Sequence, residues 1–285
     1  LTDRQIQFTV ELVHLLPQVW ALSFAGILSF WLSKSDSYYE ALTIFPETPT
    51  GASLNSLLFI LPLLFAATMM YLLIRSGLLR VVRFLVKSSL ATATFLLITW
   101  YVSKAVKPGP TTIFGSDIDS AMFSALLTAL ALFMVYRKEG VGRSISMASI
   151  GSLIGVFLAF SIPMLSAIVL LAALVAYDVL SVYKGPIGKI VENSNIREFT
   201  GAVFTMRDVT VGMGDIVFYS MLAAVAFSNL GILSYVMSSL GVLFGAYAGM
   251  RMLEEKDYFP GLPLALVCGL IMMFGSILLA PLVAP

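Results

Sequence analysis

The sequence predicts an all-α, polytopic membrane protein with about nine transmembrane helices, in a single integral membrane domain. Two observations carry that prediction. Of the 285 residues, 59% are hydrophobic and only 12% charged, with a mean hydropathy of +0.96. That is more apolar surface than a soluble domain can bury and too little charge to cover it. Apolar runs also recur at the length of about 20 residues that a helix needs to cross the hydrocarbon core.

This ruler places the spans in order near residues 12–32, 54–74, 84–103, 118–136, 145–161, 163–183, 209–229, 231–250 and 261–283. Before the first, Leu1 to Gln7 are polar and show no cleavable signal pattern; an opening without Met is expected of a trimmed chain. Asp117 and Asp119 read as N-caps of the fourth span. Between the fifth and sixth, Ala159-Phe160-Ser161-Ile162-Pro163 must make a very tight turn, with Pro163 as an early helical residue. A kinked pair or an earlier end to the fifth span are the alternatives. The seventh carries Asp215, and the ninth starts at Pro260-Gly261-Leu262-Pro263. Two prolines there remove backbone N–H groups, so an irregular entrance is expected, tolerable only against protein or water. No internal repeat is visible.

Loop charges set the topology. The N-terminal segment and the loops after spans two, four, six and eight hold fourteen Lys and Arg, against three (Lys34, Lys104 and Lys107) on the other side. The positive-inside rule puts the N-terminus and the loop of residues 184–208 in the cytoplasm, and the C-terminus outside. Residues 1–183 then hold spans one to six, and 209–285 hold spans seven to nine. A net charge of +1 argues neither for nor against nucleic-acid contact, but with no Lys/Arg block of useful length no nucleic-acid partner is expected.

Against this background Asp178 and Asp215 stand out, each inside an apolar run. A carboxyl in hydrocarbon costs about 2.5–3.5 kcal/mol on insertion scales, so each is a functional-site hypothesis. Counting along the helices puts both roughly 9 to 10 Å inside the cytoplasmic boundary, level with one another. Two carboxyls at close range cannot both ionise and share a proton; one can activate a water while the other donates to a carbonyl oxygen and then to a leaving amine. Needing neither metal nor cofactor, this is aspartic-protease chemistry. The bland alternative for Asp178 is an interfacial pairing with Lys184 or Lys189. For Asp215 no cation lies within a turn or two. A proton-coupled transporter or cation leak pathway is the rival use of the same two acids.

The neighbours of the acids narrow the choice. Gly212-Met213-Gly214 precedes Asp215, and Tyr177 precedes Asp178. A Gly-x-Gly pair in a membrane helix is by itself a packing notch; next to an acid it also lets a foreign backbone approach. With Tyr177-Asp178, Gly212-Met213-Gly214-Asp215 and Pro260-Gly261-Leu262-Pro263 in this order on spans six, seven and nine, the chain resembles the presenilin and signal-peptide-peptidase family of intramembrane aspartyl proteases. Span number and orientation make it most like a microbial presenilin homologue. The similarity is closest over residues 165 to 275. It departs at Gly261, where the family's Pro-Ala-Leu signature has one methyl more, and in the short loop between spans six and seven, which argues against autocleavage.

The resemblance implies an endopeptidase with Asp178 and Asp215 as its catalytic pair. Tyr177, Gly212, Met213, Gly214, Pro260, Gly261, Leu262 and Pro263 would support the pair and the substrate. It implies no cofactor, and partners that are the lipid bilayer and single-span membrane proteins, of type I by orientation. Accessory subunits are not evident and a homo-oligomer stays open. Gly201 to Thr205 has β-propensity and is expected to form part of a strand that pairs with an unwound substrate.

Other chemistries find no residues. His14 is the only histidine, so neither a zinc site nor a serine–histidine pair can be built. It reads as an ordinary interfacial residue near the start of span one. Ser53 falls on an outer loop with no base, and Cys268, the single cysteine, reads as helix packing. The prepilin-peptidase group also uses Gly-x-Gly-Asp with a second Asp, but needs neither Pro260 to Pro263 nor the Tyr177-Asp178 spacing.

Overall fold

The computed structural model describes residues 11–34, 43–105, 116–137, 140–184, 203–206, 209–253 and 261–283. Among them the chain forms nine α-helices and one two-stranded hairpin. A 3-10 turn over Leu12–Leu15 leads into α1 (Leu16–Ser33), with Pro17 in its first turn, where a missing N–H costs nothing. α2 (Pro49–Arg75) starts earlier than expected because Thr48 caps it, its hydroxyl accepting from the Gly51 N–H at 3.1 Å. Ser53 therefore lies inside a helix and not on a loop, donating to the Pro49 carbonyl at 2.9 Å.

The turn into α3 (Leu79–Ala105) pivots on Gly77, at φ +74°, with the Gly77 and Leu78 N–H groups donating to the Ile74 and Leu73 carbonyls at 3.0 Å each. This crossed pair satisfies the last carbonyls of α2 and needs a left-handed residue at its centre. It also draws Arg80, Arg83 and Lys87, expected in a loop, into the helix. α4 (Ser116–Tyr136) begins early enough to take the backbone of Asp117 and Asp119 into the helix. α5 (Val141–Ser161) and α6 (Met164–Lys184) are joined through Ile162 and Pro163 alone, the tight turn expected. Ile162 is extended, at φ −120° and ψ 129°, as a residue before proline is driven to be.

The largest departure comes next. β1 (Val203–Met206) and β2 (Val209–Gly212) pair antiparallel, from Val203 opposite Gly212 to Met206 opposite Val209. α7 (Met213–Leu230) therefore begins at Met213, not at 209. Val209, Thr210 and Val211 are β-branched, favour extended backbone, and have a strand partner in β1. The strand expected near 201–205 is thus present from Val203; Gly201, Ala202 and most of the connection from 185 to 208 lie outside the described residues. α8 (Ile232–Leu253) follows a turn at Gly231, φ +87°, and α9 (Gly261–Val283) closes the bundle.

Eight of these helices are long and apolar enough to cross a membrane, and α6 is apolar over the shorter stretch Met164–Leu180. The chain is an integral, multi-pass membrane protein. α7 sits at the centre, packed on α5, α8, α1 and α9; α6 packs on α2 and α9 and meets α7 along a smaller seam. α2 lies on the periphery, showing Leu57, Leu58, Leu61 and Phe65 to the outside.

Between lipid-bathed helices apolar burial gives little preference, so close packing and interhelical hydrogen bonds decide the arrangement. Gly151 and Gly155, one turn apart on α5, let α7 in: a methyl group at Gly155 would overlap the Val217 carbonyl and come within 2.8 Å of the Met221 nitrogen. Ser152 between them donates to the Ala21 carbonyl at 2.9 Å and accepts from the Ser220 hydroxyl at 3.1 Å, tying α5 to α1 and α7. On α8, Gly241 and Gly245 receive the α9 backbone at Cys268 and Leu264 in the same way, and Ser234 and Ser276 share a hydrogen bond of 2.6 Å. His14, at the base of α1 near the start of the first span, is buried within the protein, 2% exposed.

Candidate active site

Asp178 is placed by the packing stripe of its own helix. Ala167, Leu170, Leu171 and Leu174 are buried at spacings of three and four, and Asp178 comes four residues after Leu174 on the same face. Its carboxyl therefore turns toward the bundle interior, where it is partly buried, with Tyr177, also partly exposed, beside it.

Asp215 reaches the same place by a different route. It is the third residue of α7, in the first turn, where unsatisfied N–H groups and the helix dipole favour a carboxylate. The level depth expected of the acids assumed seven helical residues before Asp215. Instead the four extended residues of β2 cover about 13 Å, more than twice what a helix of that length would. The two carboxyls lie within electrostatic reach of one another.

The glycines beside Asp215 have distinct uses. A Cβ at Gly212 would sit 3.5 Å from the nearer Asp215 carboxylate oxygen, so any larger side chain there would cover the acid. At Gly214 the same position meets nothing within 4 Å, and the residue is exposed: the approach to Asp215 is open on that side. Met213 between them is buried and anchors the turn.

α9 supplies the third side. Its first N–H groups have no acceptor within the helix, and the Leu262 N–H comes within reach of the Asp178 carboxylate. Pro263, buried at the third helical position, has no N–H to satisfy and is accommodated in the first turn of the helix, which is described from Gly261; the entrance before it lies outside the described residues. The Tyr219 hydroxyl of α7 donates to the Gly261 carbonyl at 3.3 Å. Pro260 lies outside the described residues. A methyl group at Gly261 would also meet nothing within 4 Å, and its φ is not positive. G261A, which adds the methyl of the family's signature, is therefore expected to stabilise the protein by about 0.4–1 kcal/mol through lost freedom of the unfolded chain. Its unfolding temperature in detergent checks this, and a decrease would refute it.

The structure thus brings together Asp178, Asp215, Gly212, Met213, Gly214, Gly261, Leu262 and Pro263, with Tyr177 adjacent. Tyr219 was not anticipated, although its place four residues after Asp215 was a visible signal. No group of three or more His, Cys, Asp or Glu able to hold a metal ion occurs among the described residues.

Two solved structures share this arrangement of helices, both described as a presenilin family intramembrane aspartate protease. One, in a C222 crystal form, is 18% identical with a TM-score of 0.66, covering 93% of this chain and 97% of its own. The other, in a P2 form, is 21% identical with a TM-score of 0.65, covering 93% and 98%. No family model matches the sequence, and no curated protein matches it. The fold and the site define a multi-pass membrane bundle with two neighbouring carboxyls inside it, near the start of α7. Its fold is that of the presenilin family.

Proposed function

We propose that this protein is an intramembrane aspartyl endopeptidase, hydrolysing peptide bonds within the transmembrane segments of single-span membrane proteins. The observation that carries the reading is the convergence of Asp178 and Asp215 at the starts of α7 and α9, inside a membrane bundle of presenilin fold. In hydrolysis one carboxyl enters ionised and the other protonated. The first takes a proton from water as its oxygen attacks the scissile carbonyl; the second donates to the carbonyl oxygen, giving a tetrahedral diol. Collapse of the diol breaks the C–N bond as a proton passes to the amine, restoring a pair with one proton. Gly214 leaves the side of Asp215 free for the substrate backbone.

A helical substrate hides its carbonyls in its own hydrogen bonds, so it must be unwound before attack. The β1–β2 hairpin ends at Gly212, three residues from Asp215, and offers a strand for an extended substrate to join. The loop charges support a cytoplasmic N-terminus and cleavage near the cytoplasmic side, in substrates of type I orientation. The chemistry itself calls on two carboxyls and a water, with no cofactor.

The test is cleavage of a single-span substrate in proteoliposomes, with the fragment masses placing the cut inside the span. Failure to release fragments, together with proton flux through the empty vesicles, would favour a transport pathway using the same acids. Proline at Val203 or Phe204 should break β1 and lower cleavage severalfold while the unfolding temperature holds. Undiminished cleavage by F204P would remove the hairpin from the substrate path.

A further inference from the structure

The peptide group joining Gly261 to Leu262 lies between Tyr219 and Asp178. Its carbonyl oxygen accepts from the Tyr219 hydroxyl at 3.3 Å, and its N–H end is within reach of the Asp178 carboxylate. Tyr219 is 3% exposed and lies within electrostatic reach of both carboxyls. Resting on the endopeptidase activity above, we propose that Tyr219 is a positioning residue for the reaction: through this single peptide group it sets the direction and donor strength of the Leu262 N–H, and so holds the Asp178 carboxyl opposite Asp215.

The local chemistry makes this peptide the adjustable part of the site. Leu262 is the second residue of α9, so its N–H has no acceptor in the helix, and Pro263 brings none to share the work. Gly261 carries no side chain to lock the peptide plane, and nothing within 4 Å of its Cβ position would do so instead. Fixing the carbonyl end from α7 removes that freedom. A donor on the carbonyl also polarises the peptide and strengthens its N–H toward an acceptor. Three helices are joined this way: α7 through Tyr219, α9 through the peptide, α6 through Asp178. The seam between α6 and α7 is otherwise small, so the link matters for keeping the acids together.

An ordinary buried tyrosine also seeks a carbonyl, so the test must separate placement from packing. Tyr235 provides the control: its hydroxyl donates to the Leu22 carbonyl at 2.8 Å, between α8 and α1. Cleavage of a reconstituted single-span substrate would be followed for the unsubstituted protein, Y219F and Y235F, with kcat, KM, the pH–rate profile and thermal unfolding measured for each. Y219F should lower kcat about tenfold with KM changed less than about twofold, the loss of roughly one hydrogen bond acting on the reacting pair. Its profile should move toward higher pH, because the N–H that supports the ionised carboxylate is weakened. Y235F should lower the unfolding temperature and leave kcat and the profile in place. A Y219F protein with unaltered kcat and profile, or one no more impaired than Y235F, overturns the proposal. Should Y219F fail to fold, 3-fluorotyrosine at 219, a stronger donor of nearly the same shape, should move the profile the other way; an unmoved profile again overturns it. Absence of product from the unsubstituted protein sinks the endopeptidase activity itself, and this role with it, a result told apart by its appearing in every sample.

Discussion

D178N and D215N should each abolish cleavage of a reconstituted single-span substrate, lowering the rate at least about 10³-fold, within the range that general acid–base catalysis contributes. Both are close to isosteric, and the amide oxygen of D178N can still accept from the Leu262 N–H, so the fold should survive. The acids act as one unit, and the double variant should therefore be no worse than either single one. Size-exclusion profile, unfolding temperature and product formation, measured on the same preparations, give the check. Cleavage retained by either variant at more than a few per cent would remove the carboxyl pair from the chemistry.

The second large effect is structural. G155L should fail to yield a monodisperse protein, and G155A should be destabilised by about 1–3 kcal/mol, the usual cost of forcing methylenes into a packed interior. The obstacle is the Val217 carbonyl and the backbone around Met221, which cannot rotate aside as a side chain would. α7 would have to retreat, taking Asp215 with it. G214A, with open space at its Cβ and no positive φ, should by contrast not lower the unfolding temperature. Thermal unfolding of the three variants in one detergent decides the matter, and a stable, monodisperse G155L would show that the α5–α7 contact is not what holds α7.

The two outcomes meet at α7 and differ in how visible their causes were. Asp178 and Asp215 were conspicuous because charge in an apolar run is costly and rare. Gly151 and Gly155 were equally present in the chain, yet a glycine spaced i, i+4 does not name the helix it admits. Ser152 is similar: a serine in a membrane span is unremarkable until Ala21 and Ser220 are found on either side of it. Tyr219 fell between these cases. Its i, i+4 relation to Asp215 was legible, but its use depends on the Gly261 carbonyl, some forty residues on.

Composition and span length by themselves determined that this chain is a multi-pass helical membrane protein, because hydropathy over about 20 residues is a local property with a single physical remedy. The sequence also singled out Asp178 and Asp215, since a carboxyl in an apolar run is conspicuous before any partner is known. Only the tertiary structure decided that residues 209–212 are a strand, that Asp215 starts a helix rather than lying within one, and that the Gly261–Leu262 peptide stands between Tyr219 and Asp178. Those features follow from pairings between distant segments. Val209 to Val211 favour an extended backbone, but at the edge of an apolar run they read as the start of a span until β1 is there to take their hydrogen bonds.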